Sequence, residues 1–177
     1  MNKTIEDLKT RRSIRKFKDE QITDEELKII LETGTYAPTA RGLQSPKIVV
    51  IQNPETIKEF SEWNRSYFPM EMPEDMDPFY GAKTLLIVLA DSEIPTYVED
   101  GSSVLTVLVN AAHAIGVGSC WIHRAREEFA SEKGKGLLKE CGIPESYEGI
   151  GHVVLGYPDM EAPEPLPRKE DYIHYVD

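Results

Sequence analysis

An α+β or α/β sandwich, one sheet covered by helices, is the fold class this sequence predicts, on three observations. Four short apolar runs, rich in β-branched residues, alternate with longer stretches of helical periodicity. Two of those helical stretches open on capping signals that fix where they start. A third is apolar nearly all round, which suits a central buried helix better than a surface one. The 177 residues, 40% hydrophobic and 29% charged, fit a single soluble domain with a sizeable core.

Each element follows from local chemistry. Ile5 and Leu8, with polar residues between them, suit a short amphipathic helix ending near Arg12. In "TDEELKIILETG" (23–34), Thr23 and Glu26 form a capping box, Leu27, Ile30 and Leu31 form the apolar face, and Gly34 stops the helix. "KIVVIQ" (47–52) reads as a buried strand. Asn53 as N-cap and Pro54 at the first helical position start the next helix. Residues 64–80 are rich in Pro, Met and aromatics without a clear period and read as a loop, packed down or covering a site. "TLLIVLAD" (84–91) is a second buried strand, and "SSVLTVLVNAAHAIG" (102–116) is the all-round apolar helix. His113 on it reads as a hydrogen-bonded core residue, and "GVG" (116–118) as a helix stop and tight turn. "GSCWIH" (118–123) is strand-like, 126–141 reads as one helix stopped by Gly142, and "GIGHVVLGYP" (149–158) is the last strand.

Prolines at 158, 163, 165 and 167 make the remaining tail extended. Its "YIHYV" has apolar groups to bury, either on its own body or across a second subunit. Together with the all-round apolar helix, that tail favours a homodimer.

Composition excludes several classes. A net charge of −11 and a pI near 4.9 argue against a nucleic-acid or anionic-membrane partner. No apolar run approaches the roughly 18 residues of a membrane span. The amphipathic, acid-containing start lacks the apolar core of a secretory signal, so the cytoplasm is the expected location. Cys120 and Cys141 show neither CxxC nor metal-type spacing and read as free thiols; no metal site is expected.

Against this acidity stands "RRSIRKF" (11–17). Seven of the twenty basic residues fall within the first eighteen positions, beside only two acids. Cations at a helix C-terminus gain about 0.3–1 kcal/mol from the macrodipole, but the cluster runs on into "KDEQI", where no helix dipole operates. Guanidinium forks match phosphate oxygens, and the Ser13 hydroxyl completes such a cradle. The pattern thus fits either a solvated basic helix end or a cradle for a small anion.

The blocks "RRSIRKFKDEQI", "YAPTARGLQSP", "EDGSSVLTVLVNAAHAIGVGSCWI" and "LGYP…PRK", in that order from Arg11 to Lys169, resemble the flavin-dependent nitroreductase family. The resemblance implies an α+β, three-layer α/β/α sandwich with a mixed, mainly antiparallel sheet. It implies an intertwined homodimer with FMN at the subunit interface, built from a domain of residues 1–158 and an extended arm, 159–177, packing on the partner subunit. Arg11, Arg12, Ser13 and Arg15 would hold the phosphate and ribityl chain, Arg15 reaching towards the ring. Pro38, Thr39 and Ala40 would line the isoalloxazine from the other subunit. Trp121, Ile122 and His123 would run beside the ring, where a backbone N–H can face flavin N5. Arg168, with Lys169 beside it, would reach the phosphate from the tail.

The implied activity passes hydride from NADH or NADPH through flavin N5 to a small electron-poor acceptor, a nitroaromatic or quinone, in ping-pong alternation. The flavin carries the chemistry, so no catalytic side chain is expected. A flavin-binding module without turnover, or a specialised flavoenzyme of the same fold, are the alternatives. Three positions depart from the family's pattern: Gly42 where Asn is frequent, Ser45-Pro46 after Gln44 where Pro-Trp is frequent, and Leu166 where Lys is common.

Overall fold

The computed structural model describes residues 2–70, 73 and 75–176. Helix α1 (Lys3–Thr10) is capped by the Asn2 side chain and ends at Arg11, one residue short of the expected stop. In α2 (Asp24–Gly34) both halves of the Thr23–Glu26 capping box form, and Leu27 and Ile30 are buried. Strand β1 (Lys47–Ile51) leads into α3 (Pro54–Arg65), where Asn53 accepts from the Thr56 N–H. Strand β2 (Thr84–Asp91) is buried until its last residue.

Helix α4 (Tyr97–Ala114) starts five residues before the apolar run read from the sequence. Its added first turn carries Glu99 and Asp100, charges that a helix N-terminus favours. Strand β3 (Gly118–Ile122) follows. The single helix expected over 126–141 is two, α5 (Ala125–Ala130) and α6 (Glu132–Glu140). Ser131 is extended and caps α6 by accepting the Gly134 N–H. A side chain at Gly134 would sit 2.3 Å from the Glu128 carbonyl oxygen, so the break depends on that glycine. Strand β4 (Tyr147–Gly156) completes the set.

The sheet runs β1-β2-β4-β3, and every strand pairing is antiparallel. The parallel element among the described residues is an isolated bridge from Ser13 to Ser119 at the β3 edge. Strand alternation sorts the core into two layers. On one face Leu85, Ile87, Leu89, Cys120, Ile122 and Val154 pack with Phe60, Phe79, Phe129 and Leu138 from the α3, α5 and α6 side. On the other, Leu86, Val88, Val153 and Leu155 meet Leu27 and Ile30 of α2 and Val104, Leu105 and Leu108 of α4. Helices on both faces give the expected α/β/α sandwich, each fully buried aliphatic side chain contributing ~1.5–3 kcal/mol.

Within the loop expected over 64–80, residues 71, 72 and 74 lie outside the described residues. Asn64 and Arg65 belong to α3. Further on, Asp77 accepts from the Ser61 hydroxyl and from the N–H groups of Phe79 and Gly81, and Phe79 is fully buried. That end of the segment is packed core. Among the described residues no helix is long and apolar enough to cross a membrane, no side-chain group could hold a metal ion, and both cysteines are free.

Candidate functional site

The basic segment is a strap along the edge strand β3. The Ile14 N–H donates to the Ser119 carbonyl at 2.9 Å, and the Lys18 N–H donates to that of Tyr157 at 2.9 Å. Ile14 and Phe17 are the buried anchors, fitted against Gly118 and Gly156, where a methyl would come within 3.2 Å and 2.9 Å of them. Anchoring these two leaves the polar side chains between them free to face elsewhere.

Arg11, Ser13 and Arg15 all lie close enough to the Cys120 thiol to act on it electrostatically. Burial pushes that thiol above its ordinary value, while Arg15, the Ser13 hydroxyl and Arg11 pull it the other way. Neither the Arg11 nor the Arg15 guanidinium has an ion-pair or hydrogen-bond partner among the described residues. Nearby lysines are paired, Lys3 with Asp7 and Lys16 with Asp159, both at 2.6 Å. Arg12 turns away from the group. Its Nε donates to the Pro163 carbonyl at 3.1 Å and its Nη1 to those of Lys9 and Arg11 at 2.8 and 2.7 Å. His113 is hydrogen-bonded as expected, 2.9 Å from the Thr10 hydroxyl, but it is half-buried on α4 rather than in the core. Burial lowers its pKa, and Asp7 opposes the shift.

The segment 121–124 leaves the same strand. Trp121 is 40% exposed and lies on β4 at Gly151, where a Cβ would be 2.5 Å from its Nε1. Ile122 is buried and His123 exposed. Arg124 then takes a left-handed conformation, φ 82°, as the N-cap of α5. Its side chain pairs with Glu127 at 2.7 Å and lies 6.0 Å from the Phe68 ring centre.

Pro38, Thr39 and Ala40 stand on a loop anchored to α4. The buried Asp100 carboxylate accepts the Ala40 N–H at 3.0 Å and the Thr96 hydroxyl at 3.3 Å. Arg41, Gly42 and Gln44 all have positive φ, so this turn is held from outside rather than by residue preference. Gly42, at φ 65°, suits its place.

Among the described residues the tail is tied to the body only at its root. The Asp159 N–H donates to the Lys16 carbonyl at 3.0 Å, and Met160 Sδ lies 3.3 Å from the Arg15 nitrogen. Residues 164–176 are exposed, including Arg168 and Lys169. Leu166, Tyr172, Ile173, Tyr175 and Val176 expose 80%, 79%, 68%, 88% and 96% of their surfaces.

One cluster escaped the sequence reading. Asn64 at the end of α3, Glu128 in α5 and His152 in β4 are all wholly buried. Asn64 Nδ2 donates to Glu128 Oε1 at 2.7 Å and to the His123 carbonyl at 2.8 Å, and His152 Nε2 lies 2.7 Å from Glu128 Oε2. A histidine inside an apolar strand run was the available signal, and nothing local marked Asn64 or Glu128.

Fold and site together define an α+β sandwich with a cationic strap along its edge strand and an exposed, apolar C-terminal tail. The chain belongs to the nitroreductase family, whose model matches residues 8–157. An Archaeoglobus fulgidus protein provisionally named NADH dehydrogenase/NAD(P)H nitroreductase is 32% identical over 166 residues, 91% of this chain and 88% of its own. A Vibrio harveyi NADPH-flavin oxidoreductase is 28% identical over 181 residues, 95% of this chain and 70% of its own. Crystal structures of a Bacteroides fragilis and a Desulfitobacterium hafniense nitroreductase, each with bound FMN, superpose with TM-scores of 0.89 and 0.88. They are 26% and 27% identical to this chain, with 100% of both chains covered in each case.

Proposed function

We propose that the chain is an FMN-dependent oxidoreductase that works as a homodimer and carries reducing equivalents from NADH or NADPH to a small electron-poor acceptor, such as a nitroaromatic or a quinone. One observation carries the proposal. In a chain of net charge −11, the Arg11 and Arg15 guanidiniums and the Ser13 hydroxyl all act on Cys120 at one strand edge, and neither guanidinium is ion-paired among the described residues. That donor set fits a phosphate with a polar ring edge beyond it. The FMN found in two relatives of nearly the same fold supports the same ligand.

When bound, FMN supplies the redox chemistry, taking hydride at N5 from the nicotinamide and passing it to the acceptor in ping-pong alternation. The chain's own residues bind and orient. Arg11 and Ser13 hold the phosphate and ribityl end, and Arg12 keeps the tail root beside them through Pro163. Arg15 brings a positive charge to the ring edge, where it offsets the negative charge that reduction places there. Trp121, Ile122 and His123 flank the ring and shield it from water.

The second copy completes the site with Pro38, Thr39 and Ala40, and its arm 159–177 delivers Arg168 and Lys169. Two features support an arm exchanged between copies. The tail's five large apolar side chains find no cover on their own body. An apolar groove lined by Leu27, Leu31, Ile48 and Val50 runs between α2 and the edge strand β1, and such an edge accepts another strand.

Purified protein incubated with FMN is expected to turn yellow, bleach under NADH or NADPH without oxygen, and recover its colour on adding a quinone or nitroaromatic. Protein that stays yellow with both nucleotides would be a binding module, and protein that retains no added FMN would overturn the proposal.

A further inference from the structure

We infer that Asn64, with Glu128 and His152 behind it, is a positioning residue that aims the His123–Arg124 peptide so that the Arg124 N–H points out of the core towards the flavin ring. The inference rests on the FMN reading above and assigns the residues that orient the ring's backbone donor.

Stability alone does not account for the cluster. Its three side chains are completely buried in three separate elements, and His152 also faces the Phe79 ring at 5.5 Å. Asn64 Oδ1 and His152 Nδ1 have no hydrogen-bond partner among the described residues. Each such orphan costs about 1–3 kcal/mol, and apolar side chains of similar volume commonly fill such a site at no loss. The amide orientation of Asn64 follows from its surroundings, because its nitrogen lies against two acceptors, Glu128 Oε1 and the His123 carbonyl.

The cluster's contact with the backbone is what distinguishes it. Asn64 holds the His123 carbonyl inward at 2.8 Å. No peptide in the described chain is cis, and in a planar trans peptide the carbonyl and the following N–H point to opposite sides. Drawing the carbonyl into the core therefore turns the Arg124 N–H outward, where it meets no acceptor among the described residues. Arg124 itself has a left-handed backbone, φ 82°, which costs a residue with a side chain ~1–2 kcal/mol. Strain of this kind persists only where neighbours impose it.

Two glycines of β4 complete the clamp. A Cβ at Gly149 would meet the Ala125 carbonyl oxygen at 2.1 Å, and one at Gly151 would meet Trp121 Nε1 at 2.5 Å. The turn is thus seated on bare strand backbone below and tied by Asn64 from the side.

The test is Asn64→Leu in FMN-loaded protein, read as the two-electron midpoint potential, the FMN dissociation constant and the melting temperature. Oxidised N5 accepts a hydrogen bond, whereas reduced N5 carries a proton, so an N–H aimed at it favours the oxidised ring. Asn64→Leu is expected to raise the relative affinity for reduced FMN about tenfold, a rise of about 30 mV for a two-electron couple. A lower melting temperature with that ratio changed less than twofold would make the cluster purely structural and overturn the inference, leaving the FMN reading intact. Wild-type protein that takes up no FMN would overturn the FMN reading itself.

Should Asn64→Leu not fold, Asn64→Ser, which shortens the donor out of reach of the carbonyl, is read the same way. Hydrogen–deuterium exchange of the wild type needs no variant. The Arg124 amide is expected to exchange at least tenfold more slowly once FMN is added, and equal rates with and without FMN would overturn the inference.

Discussion

Replacing Gly149 by alanine tests how tightly β4 carries α5. The new Cβ would lie 2.1 Å from the Ala125 carbonyl oxygen, 2.4 Å from its carbonyl carbon and 2.9 Å from its Cβ, where ordinary contact begins at 3.4 Å. All three atoms are rigid, so no rotamer change relieves the clash, and the start of α5 has to retreat by more than an ångström. Overpacking costs about 1–3 kcal/mol, and backbone obstruction places this case at the upper end. For a chain of this size each kcal/mol lowers Tm by roughly 2–4 °C, so a drop of roughly 6–12 °C is expected by circular dichroism. Gly136, in the same helical layer, is the control, because a methyl there would meet nothing within 4 Å. Gly136→Ala in α6 is expected to leave Tm unchanged or raise it, since alanine favours the helix by ~0.5–1 kcal/mol. Gly149→Ala melting with the wild type would refute the close seating of α5 on β4.

Three further perturbations probe the strap, the tail and the α2 cap. Arg15→Ala is expected to stay folded while binding FMN roughly ten- to a hundredfold more weakly and lowering its potential, from ~1.5–3 kcal/mol for a hydrogen bond to a charged group; unchanged affinity and potential in titrations would remove Arg15 from the site. Ending the chain after Tyr157 should shift a dimer towards monomer on size exclusion and weaken FMN retention, whereas a truncated protein that stays dimeric and yellow contradicts the arm. The Glu26 carboxylate is held below its ordinary value of 4.5 by the Tyr157 hydroxyl first, then by the Thr23 hydroxyl and N–H. Because its folded pKa is depressed, its contribution is present above pH 4.5 and drains away as pH falls through the lower folded value. Glu26→Gln should therefore flatten the acid limb of a urea-midpoint profile and leave its neutral limb parallel to the wild type.

Much of the frame is readable from local rules. Thr23, Glu26, Asn53 and Pro54 mark helix starts that the structure reproduces, because caps act within one turn and need no tertiary information. The four strands are equally plain, since buried runs must be apolar. What local rules miss is set by distant partners. The break at Ser131 depends on Gly134 meeting the Glu128 carbonyl, and Gly101 is tolerated inside α4 because a Cβ there would strike Ile150 at 2.5 Å. At the site, Ser13, Arg11 and Arg15 stand out as a basic run, but the outward turn of Arg12 to Pro163 joins positions 151 residues apart. Asn64 and Glu128 carry no local pattern, and only the tertiary fold brings them to His152. Their acidic member looks, in sequence, like one more solvated glutamate.

The strap and the tail root impose an order on folding. Ile14 waits for Ser119, Lys18 for Tyr157 and Arg12 for Pro163, so the strap is among the last segments to find its partners. Contacts of such separation close late in folding. The core can form largely beforehand, while the arginines stay loose until these distant partners arrive. Ordering of the cationic strap is thereby a late report on the assembly of the whole sheet.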